Sequence, residues 1–298
     1  MSRTEIEKDL PSEVEKSWFE KDSIFFKVLT LIFVLRFLFL LFTGFVDDDA
    51  YHWSWTQMMD WSFFDHPGMI AWLEWVTTSV FGINQLGIRL PSLLCYMGFC
   101  YLTYHLVRDL FDLAAARFSI LVILFSPLWG FGGHVAAPEA PFMLLWGLGV
   151  WVFYQGIRED GQQWSVKKTW LCLGLIMGLG FNTKFPIVLL APGMGLYLLT
   201  SEKSRKQLLT PWPWIGVMIS VIMLAPVLLW NLKYDWPSFK FQFRDRHQGG
   251  GFDPHRWLGF LGTQIGLMSP GVYFGLLCSL LSSILNFKNF KWRFLFCL

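Results

Sequence analysis

The chain has 298 residues, of which 54% are hydrophobic, 18% aromatic and only 15% charged. Water-soluble domains carry roughly a quarter charged residues, so this composition excludes an ordinary soluble globule and points to lipid as the main solvent. The net charge of +2 decides nothing by itself, and Cys95, Cys100, Cys172, Cys278 and Cys297 all lie in apolar runs without CxxC or metal spacing, which excludes a disulfide framework.

In chain order, residues 1–23 are mixed in charge, and no small-residue cleavage site follows the first apolar run. This segment reads as a cytoplasmic leader before a retained first span, not as a cleaved signal. The body, 24–298, is expected to be an all-α polytopic membrane domain. Stretches of about twenty mainly apolar residues predict spans near 24–45, 87–107, 113–130, 139–156, 169–183, 185–200, 212–230 and 266–286. A ninth span is expected from Phe290, where the chain stops inside an apolar run as though truncated.

Between the first two spans lies 46–86, which begins "VDDDAYHWSWTQMMDWSFFDHP". Its aromatic spacing predicts two helices, the second starting at Pro67. Trp53, Trp55, Trp61, Trp72 and Trp75 suit an interfacial aromatic belt.

Charge sets the expected orientation. With the N-terminus inside, every alternate loop ("VRDLFDLAAAR", "IREDGQQWSVKK", "SEKSRKQ", "NFKNFKWR") carries at least two Lys or Arg. On the opposite side, 46–86 holds Asp47, Asp48, Asp49, Asp60, Asp65 and Glu74 with no Lys or Arg. The outside segment 231–265 breaks the rule with Lys233, Lys240, Arg244, Arg246 and Arg256. Cations on the translocated side beside the flexible "QGGG" suggest binding, although a long solvated loop translocates whatever its charge. These features predict a multi-pass membrane protein with its polar residues gathered on the external face.

The candidate chemical groups all fall on that face. Three neighbouring carboxylates raise one another's proton affinity, so Asp48 and Asp49 are candidate general bases, with Asp47 read as a helix cap. Asp65 and His66 project from the turn before a proline, suited to a phosphate or a metal, or in the case of Asp65 to local capping. Glu139, near His134, opens a span and is either an ionisable site residue or a helix-start acid. Lys184, between two apolar runs, is placed to meet a lipid phosphate or to snorkel to water. No Walker loop, dinucleotide fingerprint, HExxH or serine elbow occurs, so neither nucleotide-dependent chemistry nor a nucleic-acid partner is expected. No ligand spacing specifies a metal, though the acids and histidines permit a divalent ion.

The segments Asp48-Asp49-Ala50-Tyr51-His52-Trp53, Phe63-Phe64-Asp65-His66-Pro67-Gly68 and Arg89-Leu90-Pro91-Ser92 resemble motifs of one glycosyltransferase group. So do Ala137-Pro138-Glu139, Thr183-Lys184-Phe185 and Asn231 to Phe239. The group is family 39 of the GT-C fold, with bacterial protein mannosyltransferases and lipid A aminoarabinose transferases. The resemblance implies a GT-C-like bundle and an inverting transfer from a polyprenyl-phosphate sugar to a lipid, glycan or protein hydroxyl. It assigns the base to Asp48, with Asp49 standing where the group has Glu. It assigns the leaving phosphate to His66, Lys184 and one of Arg244 or Arg246, and it places Glu139 where the group has Asp. In the lipid A branch a lysine stands in place of His66, which argues against aminoarabinose specificity. The alternative from another class is a polytopic transporter or lipid flippase, which would carry internal repeats and charges in mid-span.

Overall fold

The computed structural model describes residues 3–161, 163–244 and 253–298, with side chains from residue 23 onward. Apart from one isolated bridge between Ser62 and Pro67, the described residues are helical or irregular. Helix α1 (Arg3–Phe42) belongs to one compact unit, Met1–Gly44. Its apolar part, Ser23–Phe42, is long enough to cross a bilayer.

The second unit, Phe45–Leu298, contains the other helices. They run α2 (Asp47–Trp55), α3 (Met69–Phe81), α4 (Gln85–Leu110), α5 (Leu113–Phe125) and α6 (Pro127–Gly130). After the loop at 131–138 come α7 (Glu139–Ile157), α8 (Val166–Phe181), α9 (Leu190–Thr200), α10 (Glu202–Arg205) and α11 (Trp212–Met223). The last are α12 (Ala225–Lys233), α13 (Pro237–Phe243), α14 (Pro254–Met268), α15 (Pro270–Leu285) and α16 (Phe290–Cys297).

Local chemistry sets several starts. Asn84, Asp112, Ser165 and Asp253 each accept backbone N–H bonds from the first turn of α4, α5, α8 and α14. Prolines occupy the first turns of α11, α12, α13 and α15, where their missing N–H costs nothing. Pro67 lies just before α3, paired with Ser62, and Gly68 is the residue before the first helical position.

Ser23–Phe42, α4 and α7 each pass as single spans by length and composition. Three bent pairs raise the number to six among the described residues: 185–209, α11 with α12, and α14 with α15, at angles of 111°, 41° and 103°. The sequence expectation is of about eight spans; by length and composition the described residues give three, or up to six if each bent pair is one span. Residues 254–265, read as loop, are helical in α14. Backbone at such breaks is satisfied by neighbours. Asn182, just past α8, donates from Nδ2 to Gly178 O and to Met223 O, each at 2.8 Å.

The packed centre of this unit lies between α7, α8, α9 and α16. Phe153, Tyr197, Phe294, Ile187 and Leu190 are fully or almost fully buried there. Glycine brings α8 against α11. A Cβ on Gly174 would stand 2.5 Å from Gly216 O, and one on Gly216 would stand 2.5 Å from Trp170 O.

Candidate active site

The site is built around the first turn of α2. Val46 precedes the helix in extended conformation, and Asp49 turns back so that its Oδ2 accepts the Val46 N–H at 2.9 Å. The same carboxylate receives Arg89 of α4, with Nε at 3.0 Å and Nη2 at 2.5 Å. Its Oδ1 accepts the Ala136 N–H at 2.8 Å. Asp49 is 0% exposed and Arg89 2%, so this is a buried, multiply bonded ion pair.

One turn along α2, His52 Nδ1 lies 2.8 Å from Ala136 O, which assigns the ring proton to Nδ1. Both backbone groups of Ala136 are thus held by α2, and the 131–138 loop is fastened across the helix. Asp47 and Asp48 are exposed. Asp48 makes no hydrogen bond or ion pair to any described residue, so its carboxylate stands open at the start of a braced helix.

A second cluster forms where 60–68 folds back. Tyr51 Oη donates to Asp65 Oδ1 at 3.0 Å, and burial beside that carboxylate pushes the phenol up to about 12. Trp55 stacks on Phe63 with ring centres 4.4 Å apart. His66 lies 6.4 Å, centre to centre, from His52, and its Nδ1 is buried without a partner. Burial lowers the proton affinity of His66; Asp65 opposes this, Lys184 adds to it, Glu139 opposes it and His52 adds to it. At neutral pH the ring is therefore uncharged and presents one N–H. Lys184, in the extended residue between α8 and the next helical turn, is ion-paired with Glu139 at the start of α7.

The segment after α12 is laid over this turn. Asn231 accepts the Trp236 N–H at its backbone oxygen and the Ser238 N–H at its side chain. These bonds hold Asp235 and Trp236 at φ of 64° and 61°, a conformation that costs a non-glycine residue about 1 kcal/mol or more. The strained turn lets Ser238 Oγ donate to Phe63 O at 2.9 Å and Gln242 Nε2 donate to Asp65 O at 3.0 Å. Trp230 Nε1 adds a bond to Asp60 Oδ2 at 2.9 Å.

The structure therefore gathers Asp65, His66, Glu139 and Lys184 into one cluster, linked through His52 to the helix carrying Asp48 and Asp49. Arg244 follows α13 two residues beyond Gln242. Arg246 lies outside the described residues. Among the described residues, no three His, Cys, Asp or Glu side chains form a group suited to a metal ion.

Two buried charged residues had been given no role from sequence. Arg89 stands in the third motif, and a lone arginine inside an apolar helix was itself a signal. Glu74 of α3 is 0% exposed with both carboxyl oxygens unpartnered, and burial, then the neighbouring Asp49, pushes it up to about 9.

Solved structures share this arrangement of helices. ArnT from Cupriavidus metallidurans superposes in the apo state with a TM-score of 0.71 at 17% identity, covering 93% of this chain and 53% of that one. The same protein bound to undecaprenyl phosphate gives 0.70 at 18% identity, covering 92% and 53%. The fold is thus the GT-C helical membrane fold expected from sequence. A lipid A galacturonosyltransferase of Rhizobium johnstonii is 24% identical over 237 residues, 79% of this chain and 49% of its own length. An undecaprenyl phosphate-alpha-4-amino-4-deoxy-L-arabinose arabinosyl transferase of Pseudomonas fluorescens is 26% identical over 179 residues, 59% of this chain and 32% of its own. The chain spans about half the length, or less, of these relatives. The profile of the dolichyl-phosphate-mannose-protein mannosyltransferases matches residues 65–230, more than half of the chain, from the Asp65-His66 turn through Glu139 and Lys184 to Trp230, and the chain belongs to that family.

Proposed function

We propose that the chain is the sugar-transferring part of a membrane glycosyltransferase. It moves a sugar from a polyprenyl-phosphate donor to a hydroxyl of a lipid, glycan or protein at the outer face of the inner membrane. The observation that carries this reading is the pairing of an open carboxylate, Asp48, on a rigidly braced helix with the Lys184 ammonium and the His66 ring, which share one electrostatic cluster. The family and the relatives named above are transferases, which supports this reading over a transporter or flippase. The family's description names a protein acceptor, whereas the names of the individual relatives point to an undecaprenyl-phosphate donor and a lipid A-type acceptor.

The chemistry follows from the two clusters. Asp48 accepts the acceptor's O–H proton as that oxygen attacks the anomeric carbon. The bond from that carbon to the phosphate oxygen breaks, and polyprenyl phosphate leaves with the electron pair, inverting the centre. Asp49, saturated by four donors, fixes the position of Asp48 and is not itself free to take the proton. Lys184 and the His66 N–H stabilise charge on the departing phosphate, with Arg244 and Arg246 as further contributors from the 231–265 segment. Asp65, oriented by Tyr51, and Glu139 complete the wall facing the sugar. No metal is required by this scheme.

Mass spectrometry of envelope lipids and glycoproteins from cells with and without the gene tests the reading. A sugar-sized mass difference on an envelope molecule is expected. Identical profiles, together with movement of an intact lipid-linked sugar across liposomes, would favour the transporter.

A further inference from the structure

The Lys184 ammonium is ion-paired with Glu139, so an incoming anion competes with that carboxylate. Both members of this pair act electrostatically on His66, whose buried Nδ1 has no partner. The groups that act on His66 are Asp65 on its own loop, His52 on α2, Glu139 at the start of α7 and Lys184 beyond α8. A cation held by an internal carboxylate, next to an unsatisfied imidazole nitrogen, is a two-position arrangement.

We infer that Glu139 is an internal stand-in for the lipid-linked phosphate: it neutralises Lys184 and moves to His66 Nδ1 when that phosphate takes Lys184. The inference rests on the polyprenyl-phosphate reading and assigns Glu139 a role distinct from holding the sugar. It also has a proton signature. With Lys184 neutralised by phosphate and Glu139 alongside, the two influences that bear on His66 both shift toward its charged form, so donor binding takes up a proton near neutral pH. For the singly charged diester of the donor the net charge of the site is then conserved, because one proton follows one negative charge.

Binding of undecaprenyl phosphate to the full chain in detergent micelles tests this, comparing wild type with Glu139→Gln, Glu139→Asp and Lys184→Met. Glu139→Gln removes the competitor and is expected to bind up to about fivefold tighter, the worth of a part-exposed ion pair. Glu139→Asp should return the affinity toward wild type, and Lys184→Met should lose most binding. In weakly buffered solution the wild type takes up a proton on binding, and His66→Asn does not. Tighter binding by Glu139→Gln together with proton uptake supports the stand-in. If Lys184→Met abolishes binding but Glu139→Gln binds equally or more weakly, Glu139 holds ligand directly and the inference alone is overturned. If the wild type does not bind the lipid, or Lys184→Met binds as well, the donor reading falls and the inference falls with it.

Discussion

Replacing Glu74 by Gln changes one charge-bearing atom in a fully buried position, and the consequence can be worked through. The folded protein holds the Glu74 proton up to about pH 9, whereas the unfolded chain releases it near the ordinary 4.5. Between those values the unfolded state binds fewer protons than the folded one, so this group makes stability fall as pH rises. The slope is about 1.4 kcal/mol per pH unit, giving about 3 kcal/mol lost between pH 4.5 and 7. The cause is structural. Asp49 and Arg89 already neutralise each other, so a second buried carboxylate would have no counter-charge.

Gln has nearly the same shape and no titration, and neither Glu74 oxygen has a hydrogen bond to lose. Thermal unfolding in detergent should therefore show the wild-type midpoint falling between pH 6 and 8 by about 5 °C more than that of Glu74→Gln, at roughly 2 °C per kcal/mol. Parallel curves, or a wild-type midpoint that rises relative to the variant, would refute the reasoning.

The remaining predictions concern bracing and packing. Arg89→Met leaves Asp49 buried and ionic with only two backbone donors, and should cost about 3–5 kcal/mol in detergent unfolding; a double variant with Asp49→Asn should recover part of that. A loss under about 1 kcal/mol for Arg89→Met would mean the pair does not brace α2. Gly174→Val drives a Cβ to within 2.5 Å of the Gly216 carbonyl, where backbone cannot yield, so α8 and α11 must separate. Folded yield should drop sharply, whereas Gly195→Ala, with nothing within 4 Å of its Cβ, should be neutral or gain up to about 1 kcal/mol. Equal yields for the two would remove the case for a close helix crossing.

Much of the fold was legible because hydrophobic runs report membrane helices directly. The runs at Gln85–Leu110 and Glu139–Ile157 are single helices close to where they were expected. The runs near 212–230 and 266–286 are broken within their length, and the run near 185–200 bends just beyond its end, because apolar composition does not reveal where a helix bends. Asn182, bonded to Met223 O, and the prolines at the starts of α12 and α15 mark two of those breaks, but only once their partners are known. The acids at 47–49 were legible as a group and not as individuals. Which of them is buried depends on Arg89, 40 residues away, and on one backbone N–H at Ala136. Glu74 was invisible for the same reason: its importance comes from what surrounds it, and helical spacing around "AWLEWV" gives only an amphipathic pattern. The double positive-φ turn at Asp235-Trp236 carries no glycine to announce it, and is set by Asn231 and by docking of Ser238 and Gln242 on the 63–65 turn.

The central claim is that Asp48, open and held by its neighbour's ion pair, takes the proton in sugar transfer. The most direct measurement is turnover of a purified polyprenyl-phosphate sugar into glycosylated acceptor by wild type and Asp48→Asn, with donor affinity and thermal midpoint measured on the same samples. Asp48→Asn should lose transfer by about a hundredfold or more, while binding undecaprenyl phosphate and unfolding as the wild type does. Transfer at the wild-type rate by Asp48→Asn would contradict the account and move the base elsewhere in the site.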